Sequence, residues 1–107
     1  MTSIDAERID EVQRIAASLE AIEDWENAAK TYQKALTNFP LEAELWFRTG
    51  FCLARLDDAE DAAHFLEKAL MLAPGTAKYD LELGNVLISL RNFSGAIEAY
   101  KRVQAIE

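Results

Sequence analysis

The chain has 107 residues, half of them apolar by type, and only six are Gly or Pro. Nineteen acidic residues against eleven basic ones give a formal net charge of -8, which disfavours nucleic acid as a partner because nucleic acid requires clustered Lys and Arg. No apolar run approaches the roughly 18 residues of a membrane span, so we expect no membrane insertion. The amino terminus lacks the basic start and apolar middle of a secretory signal, which predicts a cytoplasmic protein.

Helix-forming residues dominate the composition, since Ala, Leu and Glu supply 43 of the 107 residues. Apolar residues recur at helical spacing in six successive stretches separated by short breaks. The sequence therefore predicts an all-α domain with helices near 5–22, 25–38, 43–55, 59–72, 77–89 and 93–106. Asp24, Asp58 and Asn92 precede the second, fourth and sixth helices, where their side chains can accept hydrogen bonds from free amides. Thr76 is the predicted cap of the fifth helix.

A regular period organises the chain. Pro40 and Pro74 have the same separation along the sequence as Gly50 and Gly84. The same shift aligns further residues of three copies, namely Leu19, Leu53 and Leu87; Ala28, Ala62 and Ala96; and Tyr32, Leu66 and Tyr100. Each copy contains two helices. A period of about 34 residues is typical of helical hairpins stacked in an array.

Small residues predict close packing within each helical hairpin. Gly inside a helix costs about 1 kcal/mol relative to Ala, so Gly50 and Gly84 require a compensating contact. The second helices place an Ala at the facing position, which allows the two backbones to approach closely. The next large residue along each second helix is expected to fill the remaining space.

With this motif the chain resembles the tetratricopeptide repeat family over residues 9–107. The second copy contains the full pattern, in Trp46, Gly50, Leu53, Ala62, Leu66, Ala69 and Pro74. The third copy departs from it with Asp80 in the bulky apolar position, which we expect to weaken packing between copies two and three. The resemblance implies a single domain over 1–107, with repeats 9–42, 43–76 and 77–107. These repeats would form a right-handed α-solenoid of six antiparallel helices.

The resemblance also implies a concave groove, lined by the first helices, that binds another protein or a peptide. The main groove positions in this sequence are Gln13, Phe47, Phe51, Arg55, Lys78, Leu81, Asn85 and Ile88. The lining also includes Asp10, Ala17, Glu20, Glu44 and Ser89. Two interpretations of Phe47 and Phe51 stay open: they anchor an apolar segment of a partner, or one of them packs onto the neighbouring repeat or another copy of the chain.

The partner's chemistry follows from a comparison with family members that hold the terminal carboxylate of heat-shock chaperones. The Lys, Asn and Arg positions of that variant are occupied here by Gln13, Ala17, Arg48, Lys78 and Glu82, and only Lys78 matches. Glu82 stands where a cation is needed and would repel a carboxylate. We therefore expect an apolar or basic segment, held in the chaperone-like manner of bacterial type III secretion chaperones, which also carry three such repeats.

An alternative role is self-association. Repeat arrays usually finish with a polar helix that covers the last apolar face, and none follows the sixth helix here. The uncovered edge is predicted to contain Tyr79, Val86, Leu90 and Ile97. The chain is then a homo-oligomer, or a fragment of a longer array packing through that edge.

Catalytic chemistry has little support in the sequence. His64 is the only histidine, and its position indicates an exposed helical residue. Cys52 is interpreted as a small buried residue, with no His or clear helix N-terminus beside it to lower its pKa. The acidic runs lack the ligand spacing of a calcium loop, and no glycine-rich phosphate loop is present. We expect no enzyme activity, no cofactor and no metal.

Overall fold

The computed structural model describes the backbone of residues 3–107 and the side chains from residue 8 onward. Within that range the chain forms six helices and no strand. The helices are α1 Ser3–Ala21, α2 Trp25–Asn38, α3 Ala43–Arg55, α4 Ala59–Leu72, α5 Ala77–Ser89 and α6 Phe93–Ile106. The predicted all-α fold is confirmed, and the predicted helix bounds differ from these only at α1.

The turn inside each repeat has one geometry, used three times. Glu23, Asp57 and Arg91 have φ of 59°, 61° and 60°, in the left-handed region. The next amide bonds back to the carbonyl five residues earlier, as in Asp24 N to Leu19 O at 2.9 Å. This hydrogen bond pairs a carbonyl at the end of the first helix that has no partner within the helix. Each hairpin is therefore closed by the same local hydrogen bonds.

The residue after each left-handed position caps the second helix. Asp24 Oδ1 accepts a hydrogen bond from Asn27 N at 3.3 Å, Asp58 Oδ1 accepts one from Asp61 N at 3.4 Å, and Asn92 Oδ1 accepts one from Gly95 N at 3.0 Å. These three predicted caps are confirmed. The prediction for Thr76 is wrong, because its hydroxyl instead donates to Ala73 O at 2.7 Å and makes no cap hydrogen bond to α5.

Close packing of small residues joins the two helices of each repeat. A Cβ added to Gly50 would lie 2.9 Å from Leu66 Cγ and 3.1 Å from the Ala62 carbonyl oxygen. In the third repeat, a Cβ on Gly84 would lie 2.5 Å from Cε1 of Tyr100. The glycines therefore permit an approach that even a methyl group would prevent.

The helices stack in chain order, each packing mainly against the helix before it and the helix after it. The molecule measures 42 by 27 by 21 Å, an elongated shape that differs from a closed bundle. One continuous core runs from α1 to α5. Its residues with the least exposure include Ala16, Ala28, Leu45, Cys52, Ala62, Leu66 and Ala69.

Asp80 is buried, with 1% of its surface exposed, at the position that Trp46 occupies in the second repeat. Its Oδ1 accepts a hydrogen bond from Arg102 Nε at 2.8 Å, within the same repeat. In contrast, Trp46 packs its ring against Phe65 with 5.4 Å between centroids. The third repeat thus replaces an aromatic contact with an ion pair, because a buried carboxylate requires a partner.

Candidate functional site

A chain of charged side chains connects the first helices of the three repeats. Arg48 of α3 lies between two acids, with Nη1 at 3.5 Å from Glu20 Oε1 of α1 and Nε at 3.3 Å from Glu44 Oε1. Lys78 Nζ of α5 lies 3.0 Å from the same Glu44 oxygen. These ion pairs cross both boundaries between repeats. They therefore link α1 to α3 and α3 to α5.

Two tyrosine hydroxyls donate to the same carboxylates. Tyr32 of α2 donates to Glu20 Oε2, and Tyr79 of α5 donates to Glu44 Oε2 at 2.8 Å. Burial, together with the hydrogen bond to a carboxylate, raises the pKa of both tyrosines above its ordinary value. The hydroxyls are consequently protonated donors at neutral pH, and they hold Glu20 and Glu44 in place.

A further ion pair lies nearer the end of α3. Arg55 Nη2 is 3.4 Å from Glu82 Oε1 of α5, and only 7% of Glu82 is exposed. Burial raises the pKa of Glu82, and the nearby Arg55 partly opposes that shift. Arg48, Arg55 and Lys78 are thus all engaged by acids of the protein itself.

An open cavity of about 320 Å³ lies between α1 and α3 beside this network. It is lined by Gln13, Ala17, Glu20, Tyr32, Glu44 and Arg48. Two carboxylates and one guanidinium therefore face one space. Gln13 lies where the sequence placed it, whereas Tyr32 was missed because the repeat pattern assigns that position to packing within the hairpin. Glu20 and Glu44 already accept from Arg48, Lys78 and two tyrosine hydroxyls, and their remaining lone pairs can accept from a further hydrogen-bond donor.

Phe47 does not line the groove as the sequence predicted. It is only 5% exposed, and its ring stacks on Tyr79 with 4.7 Å between centroids. The Nζ of Lys78 lies 5.3 Å from the centroid of the same ring. Phe47 therefore fills the boundary between repeats two and three and cannot anchor a partner. Packing onto the neighbouring repeat, one of the two open interpretations, describes this residue.

Phe51 is half-buried and stays on the concave side. Trp25 approaches it edge-on, with centroids 6.0 Å apart, and Arg55 Cζ lies 4.2 Å from the centroid of its ring. A guanidinium over an aromatic ring is an attractive pair that also shields the ring from water. Phe51 and Arg55 thus form one aromatic–cation pair on α3.

Leu81, Asn85 and Ile88 lie on α5, and all three are exposed. Their equivalents one repeat earlier are Phe47, Phe51 and Ala54, which α5 and α2 help to cover. Asn85 Oδ1 accepts a hydrogen bond from the hydroxyl of Tyr100 on α6 at 2.7 Å. These three residues therefore extend the groove surface along α5 towards the α6 end of the stack.

The predicted self-association edge is partly wrong. Tyr79 and Val86 are 4% and 3% exposed, because they pack against the second repeat. Leu90 is half-buried, whereas Ile97 is exposed as predicted. Together with Ile97, the exposed apolar residues Leu81, Ile88 and Phe93 lie on α5 and α6. We call these four residues the open face. The sequence assigned two of them to the groove, since it could not resolve which side of α5 the second repeat covers.

Two overlapping segments, residues 14–77 and 54–106, match the family model described as tetratricopeptide repeat. The chain belongs to the tetratricopeptide repeat family. The expected right-handed α-solenoid of helix-turn-helix repeats is thereby confirmed, with six antiparallel helices. Among curated proteins, none matches this sequence significantly.

Several solved tetratricopeptide structures share the fold at low sequence identity. MamA from Desulfovibrio magneticus RS-1 is 21% identical with a TM-score of 0.84, over 89% of this chain and 54% of that one. PcrH in complex with the chaperone binding region of PopD is 14% identical with a TM-score of 0.90, over 94% and 76%. The first repeat domain of Spaghetti (RPAP3), bound to the HSP90 peptide SRMEEVD, is 19% identical with a TM-score of 0.87, over 90% and 76%. The chain spans a little over half the length of the MamA chain.

Cys52 and His64 are not among the residues that line the groove cavity. Cys52 is buried, and burial raises the pKa of its thiol to about 12. His64 is exposed on α4. Among the described residues, no cluster of three or more His, Cys, Asp or Glu has the geometry to hold a metal. Among the same described residues, no helix combines the length and the apolar character that crossing a membrane requires.

Proposed function

We propose that this tetratricopeptide repeat protein is a non-catalytic adaptor, chaperone-like in its action, that binds a segment of another protein along its concave surface. Membership of the family supports a role in protein interaction, as do the partners named for PcrH and RPAP3. The groove of this chain offers both a charged cavity and an aromatic surface. These two features define which segment it would select.

The observation that carries the proposal is the cavity between Glu20 and Glu44. Its third charged residue, Arg48, already lies between the two carboxylates. A Lys or Arg side chain of a partner would add a third cation to these acids, besides Arg48 and Lys78, and would form charge-assisted hydrogen bonds. The side-chain amide of Gln13, which also lines the cavity, can bond the backbone of the same segment. We therefore infer that the partner inserts a basic residue at the α1–α3 boundary.

A terminal carboxylate is disfavoured by the same geometry. Arg48, Arg55 and Lys78 would each have to leave an acid of the protein before binding one from a partner. Removing one member of a partly buried pair leaves the other charge without compensation. An apolar or aromatic residue of the partner would instead contact Phe51, beside the basic residue in the cavity.

Peptide display on the purified protein tests this function, followed by fluorescence anisotropy on the selected peptides. We expect selected peptides to carry a Lys or Arg close to an apolar residue. Glu44→Gln should weaken their binding about tenfold, because one charge-assisted hydrogen bond contributes roughly 1.5–3 kcal/mol. The matched control is Glu26→Gln on α2, which removes the exposed pair between Glu26 and Lys30.

Binding unchanged by Glu44→Gln, or selection dominated by peptides with an acidic carboxyl terminus, would contradict the proposed chemistry. Loss of binding in both Gln variants would indicate a nonspecific charge effect, which also contradicts it. Because Glu44→Gln keeps the shape of the side chain, circular dichroism should confirm an unchanged fold.

A second candidate function is self-association, favoured by the open face. Phe93 and Ile97 stand one turn apart on α6, and about half of each side chain is exposed. Exposed apolar residues clustered in this way commonly mark interfaces. The protein would then act as a structural module, or as one part of a longer array.

A further inference from the structure

Because the repeats share one register, the contacts inside the stack predict which residues would meet if another repeat packed against either end. Tyr79 stacks on Phe47 at the boundary between repeats two and three, and Lys78 pairs there with Glu44. Phe47 and Glu44 correspond, one repeat later, to Leu81 and Lys78. A further repeat stacked beyond α5 in the same geometry would place its own equivalents of Tyr79 and Lys78 against Leu81 and Lys78.

The residues of the first repeat that correspond to Tyr79 and Lys78 are Glu11 and Asp10 of α1. Both are acidic and exposed. Lys78 keeps 53% of its side chain exposed even while it pairs with Glu44. A second copy stacked beyond α5 would therefore bring two carboxylates to one ammonium group. Residues 1–42 carry nine acids and four bases whereas residues 77–107 carry four of each, so the attraction between the two ends is local to Lys78.

Apolar residues accompany the charges at both ends. Ile15 of α1 is 50% exposed, although its equivalents Thr49 and Leu83 in the later repeats are buried. Ile97 of α6 is 52% exposed, although its equivalent Ala63 in the second repeat is buried. Each end thus presents an aliphatic side chain at a position that is buried elsewhere in the stack. A contact between the two ends would cover both.

We propose that the open face of one molecule receives the α1 face of a second copy, so that the proteins associate head to tail. Lys78 of the first copy then lies against Asp10 and Glu11 of the second, with Ile97 and Ile15 in the contact. The α1 face and the open face are different surfaces, so every pair of molecules still has one free α1 face and one free open face. Such an arrangement adds further copies and does not stop at a dimer.

Sedimentation velocity on the full chain, over a concentration series at low salt, tests this interface. We expect a weight-average mass that rises beyond that of a dimer with concentration and falls when salt is added. Two charge-reversed proteins sharpen the test: the double change Asp10→Lys with Glu11→Lys, and the single change Lys78→Glu. Each alone should associate at least tenfold more weakly than the parent.

An equimolar mixture of the two charge-reversed proteins should associate again, because every contact between unlike molecules pairs opposite charges. Ile97→Glu should prevent association in the parent and in the mixture, whereas Leu41→Glu should leave association unchanged. Leu41 is the matched control because it is exposed and lies between α2 and α3. If Lys78→Glu disturbs folding by removing the pair with Glu44, Ile97→Glu still tests the interface, because Ile97 is exposed.

A monomer at every concentration, a mass that saturates at the dimer, or a mixture that fails to associate would overturn the proposal. Peptide binding measured in dilute solution, where the protein is monomeric, is independent of this interface. Failure of one proposal is therefore distinguishable from failure of the other.

Discussion

Single acidic residues determine the character of the concave surface. Glu20, Glu44 and Glu82 are each held by a cation of the neighbouring repeat. Glu82 occupies the repeat position of Arg48, so the sign of the charge reverses between the second and third repeats. The cation that would bind a partner's carboxylate is absent at this position. A buried acid that engages Arg55 is present instead, which directs the groove away from acidic partners.

The raised pKa of Glu82 predicts a specific pH dependence of stability. Because burial raises its pKa above the ordinary 4.5, the contribution of Glu82 to stability is complete below pH 4.5 and is lost as the pH rises through the folded-state value. Relative to Glu82→Gln, the free energy of unfolding of the parent should therefore decline as the pH rises above 4.5. Urea denaturation at a series of pH values on both sides of 4.5 measures it.

The matched control for this measurement is Glu98→Gln, since the Glu98 side chain is 66% exposed on α6. Its unfolding free energy should run parallel to that of the parent over the same pH range. A parallel curve for Glu82→Gln as well would show that the carboxyl group titrates alike in the folded and unfolded states.

At the scale of the helices, repetition made the fold predictable. The spacing of apolar residues and the three polar caps recur in register, so each copy supports the assignment of the others. The left-handed residues Glu23, Asp57 and Arg91 were not predicted, because none is the Gly that usually signals this conformation. The repeat pattern thus gives the helices without the details of their turns.

The close approach of α3 and α4 predicts the effect of Gly50→Ala. The added Cβ would meet Leu66 Cγ at 2.9 Å and the backbone oxygen of Ala62 at 3.1 Å, and the backbone cannot turn aside. Overpacking of about 1–3 kcal/mol should exceed the gain of about 1 kcal/mol in helix propensity. We expect a net loss of about 1 kcal/mol or more in urea denaturation.

Ser89→Ala, at an exposed position of α5, is the control for Gly50→Ala and should change stability by less than about 0.5 kcal/mol. A Gly50→Ala protein more stable than the parent would mean that α3 and α4 can separate without cost. The small-residue contact would then not determine the spacing of the hairpin.

Across the whole molecule, the stack produces surfaces that the sequence located only in part. The resemblance to the tetratricopeptide repeat family assigned α1, α3 and α5 to the concave side. Whether Phe47 is exposed depends instead on Tyr79, which covers it from the next repeat. Likewise, the burial of Val86 depends on how closely the third repeat approaches the second. Such contacts between repeats are set by side-chain packing, which periodicity does not specify.

Mapping a selected basic peptide onto the protein by amide chemical shifts tests whether the concave surface is the binding site. We predict changes concentrated in α1 and α3 around Ala17, Glu20, Glu44 and Arg48, with α4 and α6 unaffected. The mapping should use dilute protein, so that head-to-tail contacts do not contribute. Changes confined to the second helices, or spread evenly over the molecule, would contradict the account of the concave surface as the binding site.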